Sequence, residues 1–380
     1  MLSRVQTVKL MVPAMLAALL LHSCCKHDKP VVVEKTKIVM GQPSVSNAST
    51  KAAINSLTAL QESGLDFGVF GYKTRPVDQS FEIYRLFNNT PVNYDDQNTI
   101  WTYNPIRYWD SNPTVSYQFF AYWPHLGSSD PQDGSAWVSA VDVNSLNSTD
   151  DMRFTINDIP NWQDAADANT IDYLTSLKVG KYRSSNDPHP LFETGTVIFG
   201  FNHILSKLII QGYYTGDVNN HVKVHNITIE GDGILLTSGT SDHQTSTSAS
   251  GFDQPSKATA QQTVSQVLLS SVAGTQVLEN AFKENDQAQC IPTPLCEWLL
   301  VPTDGWTGLK LYVTYAIGSA AQQTSEVATV NIGTGNTYQM ESGKSYVLNL
   351  KFNTKGGIEL EAMYINQWVD VDQSEELYNW

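Results

Sequence analysis

Apolar residues fall at every second position in short runs along most of this chain, and no long run keeps the helical spacing of three and four. Leu65, Phe67 and Val69 share one face of a stretch ending at Tyr72, where Gly68 and Gly71 predict a close approach or a bulge. The aromatic stretches Trp101–Trp109 and Val115–Pro124, the alternating Met152, Phe154 and Ile156, and the apolar piece Ile171–Leu174 continue the pattern, with turn-rich spacers such as Ser128–Gly134 between them. A polar, proline-stiffened break at Asn186–Pro190 precedes a second set. There Val197, Phe199 and Phe201 alternate, followed by Leu309, Leu311, Val313 and Tyr315, by Tyr346, Leu348, Leu350 and Phe352, and by Ile358, Leu360, Ala362 and Tyr364. The spacer Thr354–Gly357 predicts a hairpin between the last two, while His203–Ile210 fits either a helical turn or a strand. This pattern predicts an all-β fold with two β-sandwich domains in series, over residues 52–190 and 191–380.

Two stretches depart from it. Leu10–Leu21 is an apolar run behind Arg4 and Lys9, the form of a secretory signal, and it is shorter than the ~20 residues a membrane-spanning helix needs. Leu21-His22-Ser23-Cys24 ends that run and resembles a lipoprotein signal, in which residues 1–23 are removed and Cys24 carries the lipid. Cys25 fits less well, because His22 then stands where the leucine belongs. Residues 24–51 follow as a polar tether, a β-branched segment Val31–Met40 that predicts a strand, and linker-like residues Gly41–Thr50. The second departure is Thr237–Gln262, rich in Ser, Thr, Gln and Ala, which predicts an exposed loop.

Charge and composition narrow the function. Removing 23 of the 380 residues takes away two of 23 basic side chains and none of 38 acidic ones, so the formal charge moves from -15 to -17. Such a chain repels phosphate backbones, and nucleic acid is not an expected partner. Beyond the signal only Cys290 and Cys296 remain; in an oxidising compartment their spacing permits a disulfide, which backbone geometry must decide. No cofactor or metal is expected: His221 and His225 lie four apart in strand-like surroundings with no completing carboxylate or thiol. Asp164 and Asp167 are loop carboxylates with nothing to fix a catalytic separation, and no nucleophile elbow, Walker loop or dinucleotide fingerprint occurs, so the chain does not read as an enzyme. The aromatics between Trp101 and Trp123 suit a sandwich core better than a stacking platform for sugars.

Taken together, the lipoprotein signal, Phe67–Tyr72, the Trp101–Trp109 stretch with its Tyr-Trp end, Phe119–Pro124, Asp172–Leu174, Phe199–Leu208 and Gly343–Tyr346 resemble the fimbrillin-like proteins of Bacteroidales, the subunits of type V pili. The resemblance implies two transthyretin-like sandwiches, with residues 24–51 as a tether and removable first strand. It implies a structural or tip subunit of a surface fimbria, exported to the outer membrane as a lipoprotein with palmitate and diacylglyceryl on Cys24. A trypsin-like protease then frees the chain from its first strand, and donor-strand exchange with other fimbrial subunits builds a fimbrium that contributes to adhesion to a host or bacterial surface ligand. Lys51 stands where the family often has arginine and is the candidate cut; Arg75 is a poor substitute because Pro76 follows it. Stalk, tip and anchor roles remain open at this point. The alternative is a glycan-binding lipoprotein that keeps its lipid and displays Trp101 and Trp123.

Overall fold

The computed structural model describes residues 36–45, 56–78, 80–110, 112, 114–127, 138–140, 153–176, 179–182, 196–215, 221–232, 238–244, 263–277, 292–319, 322–331, 338–353 and 357–367. The strands in chain order are β1 (Val39–Met40), β2 (Ser44–Val45), β3 (Phe67–Val77), β4 (Ser80–Asp95), β5 (Ile100–Thr102), β6 (Ser116–Trp123), β7 (Val138–Ala140) and β8 (Arg153–Pro160). Then come β9 (Gln163–Asp164), β10 (Leu174–Ser176), β11 (Val179–Tyr182), β12 (Thr196–Val197), β13 (Gly200–His203), β14 (Ser206–Thr215), β15 (His221–Asp232) and β16 (Ser238–Gln244). The rest are β17 (Thr263–Val277), β18 (Thr293–Leu300), β19 (Thr303–Ser319), β20 (Gln322–Asn331), β21 (Tyr338–Met340), β22 (Lys344–Asn353) and β23 (Gly357–Gln367). A single short helix among the described residues, α1 (Leu57–Glu62), is capped by Ser56, whose hydroxyl accepts from the Ala59 amide at 3.0 Å. The fold is all-β, as the alternation predicts.

The first half is organised around one sheet in the order β12-β1-β5-β4-β3-β6-β10-β13-β2, with β11 also paired to β6. Its inner face is aromatic: Phe67 meets Trp101, Phe199 and Phe201 with ring centroids 5.0, 5.8 and 5.6 Å apart. The second half stacks β23-β22-β14-β18-β9 on β17-β15-β19-β20. The buried faces of β19 (Leu309, Leu311, Val313, Tyr315) and β22 (Tyr346, Leu348, Leu350, Phe352) supply the core between these two sheets. The predicted hairpin at the end is present, with Asn353 opposite Gly357. His203–Ile210 resolves as the end of β13, a two-residue break, and the start of β14.

The division expected at 190 is crossed in both directions. β12 and β13 lie beyond it and pair in the first sheet, whereas β8 and β9 lie before it and pair with β16 and β18. From Lys37 onward the chain forms one compact unit. Ile204 and Leu205 join a third core with Phe70, Tyr122, Ile159 and Leu299, and the buried His203 Nδ1 lies 2.8 Å from Asp172 Oδ2 beside it. One segment differs from its sequence pattern: Ser238–Gln244, in the expected loop, is a strand because β8 offers it a ladder of backbone partners that no side-chain alternation announces.

The close approach expected near Gly68 is real. A Cβ there would lie 2.3 Å from Cε1 and 2.6 Å from Cζ of Tyr122, whose buried hydroxyl donates to Asn89 and accepts from the Leu126 amide. Gly68→Ala is predicted to cost about 1–3 kcal/mol by overpacking, measured by denaturant unfolding; an unchanged midpoint would show that the ring moves freely.

Candidate functional site

The N-terminal segment from Lys37 to Val45 is built into the first sheet, β1 between two strands and β2 at its end. β1 sits between two strands, pairing in parallel with β12 (Val39 with Thr196, Met40 with Val197) and antiparallel with β5 (Met40 with Trp101). β2 then pairs in parallel with β13 (Ser44 with Gly200, Val45 with Phe201), so residues 39–45 and 196–201 run side by side. The Ile38 amide donates to the Arg107 carbonyl (2.9 Å), Gly41 to Val197 (2.7 Å) and Ser44 to Phe199 (2.9 Å).

Alternation decides which side chains the slot takes. Ile38 and Met40 are 2% and 3% exposed, within one core with Phe67, Trp101, Trp109, Val197 and Phe199, while Val39 faces outward. Burying each of these two side chains contributes about 1.5–3 kcal/mol. Pro43 is buried further along. Gly41–Val45, which read as linker chemistry, therefore continues the insertion; the small apolar signal of Pro43 and Val45 was its only mark in the sequence.

The loop after β5 forms the rim. The Tyr103 hydroxyl donates to the Ile38 carbonyl at 2.6 Å and accepts from the Arg107 amide at 3.3 Å. Burial pushes this phenol above its ordinary pKa, so it stays a donor at neutral pH. Lys37 bridges Tyr108, and the Tyr117 hydroxyl accepts from the Asp110 amide at 2.6 Å. The Asn112 amide and then Lys73 Nζ, 3.0 Å away, hold the Asp110 carboxyl below its usual range. A lowered folded pKa means that this tie to the rim is present above the ordinary aspartate value and is lost as pH falls through the lowered one.

The first sheet thus takes in a strand from the chain's own N-terminal segment. A family model described as fimbrillin-like matches residues 50–368. The chain belongs to the fimbrillin-like family. It is thus a non-enzymatic fimbrial or adhesin subunit of the cell surface, in a family whose subunits assemble with one another. Among solved structures, a fimbrial protein from Bacteroides vulgatus is 17% identical with a TM-score of 0.55, covering 88% of this chain and 99% of its own. A candidate cell adhesion protein from Bacteroides uniformis is 16% identical with a TM-score of 0.46, over 88% of this chain and 99% of that one. Among curated proteins, none matches this chain significantly.

In this fimbrillin-like chain Cys24, Lys51 and Cys290 lie outside the described residues. Cys296 lies on β18, where burial pushes its thiol up to about 12. Trp101 and Trp123 are 5% and 4% exposed, so neither offers a face to a sugar ring and the glycan platform loses the residues it rested on. Asp164 and Asp167 each accept a backbone amide two residues on, as turn formers, and His225 Nδ1 lies 3.2 Å from the Ser271 carbonyl. Among the described residues no group of three or more His, Cys, Asp or Glu could hold a metal ion, and no helix is long and apolar enough to cross a membrane.

Tyr103→Phe removes the hydroxyl that holds the Ile38 carbonyl. The predicted result is faster amide hydrogen exchange in residues 37–45, equivalent to about 0.5–1.5 kcal/mol of lost protection, with β14 and β19 unchanged; equal protection in both proteins would remove the hydroxyl from the account.

Proposed function

We propose that this chain is a structural or tip subunit of a type V fimbria, exported as a lipoprotein on Cys24 and assembled by donor-strand exchange. The observation that supports this reading most is the seat of residues 37–45. They precede Lys51, the candidate cut, and β1 within them fills an interior position of the first sheet between β12 and β5, with Ile38 and Met40 buried. After cleavage at Lys51 this segment is held by non-covalent contacts alone. Its departure uncovers backbone groups along β5 and residues 196–201 together with the pockets of Ile38 and Met40, and a strand from another subunit satisfies both.

In this reading the lipid on Cys24 holds the precursor at the outer membrane, and a trypsin-like protease releases it into the fimbrium. Adhesion to a host or bacterial surface ligand follows from membership of the assembled fibre. Residues 357–367 are already paired with β22, so a donor taken from that region requires β23 to leave its own sheet. Residues 24–51 are the removable part, followed by two transthyretin-like units, 52–190 and 191–380, that exchange strands across residue 190.

Treatment of the purified chain with a trypsin-like protease is predicted to yield a new N-terminus at Ala52, read by mass spectrometry, and polymer with other fimbrial subunits. Lys51→Gln is predicted to stop both. Complete cleavage followed by no assembly with any subunit would rule out strand exchange.

A further inference from the structure

Gly41 is the one position of the inserted segment where the slot refuses a side chain. It follows Met40 on the face opposite to Ile38 and Met40, and its amide donates to the Val197 carbonyl at 2.7 Å. A Cβ at this position would lie 2.6 Å from Cγ2 of Thr196 and 2.7 Å from Cγ1 of Ile198. Both neighbours are β-branched and stiff about χ1, so two side chains must turn together to admit one methyl group. No unusual backbone angle at Gly41 demands glycine, and the requirement is steric.

The slot therefore carries a register key. Pockets on the inner side take large apolar side chains at positions 38 and 40, and the outer side accepts only glycine at 41. A slip by one residue turns the apolar pair outward and places a side chain against Thr196 and Ile198. We infer that the strand entering this slot in assembly is an extended segment of a different protein chain with the pattern apolar–any–apolar–glycine, and that residues 358–380 of a second copy are excluded. This inference rests on the strand-exchange reading above. Residues 358–380 contain no glycine, and after the alternating pairs Ile358 with Leu360 and Met363 with Ile365 they place Glu361 and Asn366 where the slot takes Gly41.

The sign of one substitution separates this key from ordinary strand preference. Glycine is a poor strand residue and valine a good one, so without the clash a Gly41→Val strand binds more tightly. The test uses the full chain cleaved at Lys51 and separated from its N-terminal fragment under mild denaturant, then refolded, with labelled peptides and affinity read by fluorescence anisotropy. A peptide of residues 36–45 is predicted to bind, its Gly41→Val form about tenfold more weakly, and a peptide of residues 358–380 more weakly than the first to a similar degree. In chain carrying Thr196→Ser and Ile198→Ala, where Ile198 is 49% exposed and its loss leaves the core intact, binding of the Gly41→Val peptide is predicted to recover. Equal or tighter binding of the valine peptide, or of residues 358–380, to the unmodified slot would overturn the key while leaving strand exchange standing. Failure of the 36–45 peptide itself to bind would overturn strand exchange, and the key with it.

Discussion

The parallel run of residues 39–45 beside 196–201 is the constraint on which the first half of this molecule depends. It joins a segment near the beginning of the chain to one past its middle, and it places Ile38 and Met40 against the aromatic floor built by Phe67, Trp101 and Phe199. Without it, β5 and β12 each lose a neighbour and the floor meets water. Parallel pairs between sequence-distant segments owe nothing to a local turn, so the contact holds only while side chains fit and backbone groups are matched. That is the physical condition for a strand that can be replaced by another.

The same logic explains how the parts around the slot divide their work. The Tyr103 hydroxyl, the Lys73–Asp110 pair and the Tyr117 hydroxyl fix the rim, so the slot's shape does not depend on its occupant alone. The second half, with its own sheets and core, is tied to the first through Ile204 and Leu205, which share a core with Phe70 and Leu299. A rim with its own hydrogen bonds and a second half with its own core are what the proposed departure of one strand requires if the rest of the fold is to survive it.

Much of this was legible in the sequence, and the parts that were not share a cause. Period-two alternation marked β3, β6, β19 and β22; on β3 both faces are buried, Phe67 and Val69 in one core and Phe70 and Tyr72 in another, whereas β19 and β22 turn Leu311, Val313, Leu348 and Leu350 into a single core. Of the aromatics from Trp101 to Trp123, all but the exposed Tyr108 were rightly assigned to the interior. The strand Ser238–Gln244 was missed because backbone pairing with β8, not side-chain burial, makes it a strand. The depth of the insertion was also underread: Gly41 and Pro43 look like linker residues, yet Gly41 is there because Thr196 and Ile198 leave no room, a contact across more than 150 positions that local reading cannot see. The crossing of the boundary near 190 is hidden for the same reason, since pairing partners far apart in sequence leave no local trace.

The central claim is that residues 37–45 must leave their slot for the chain to enter a fimbria. A reversible lock tests it most directly: Val39→Cys with Thr196→Cys, paired in register across β1 and β12, would tether the strand when oxidised and free it when reduced. After cleavage at Lys51 and with fimbrial subunits supplied, the account predicts no incorporation by the oxidised protein and normal incorporation after reduction. Equal incorporation with the bond verified intact would contradict it.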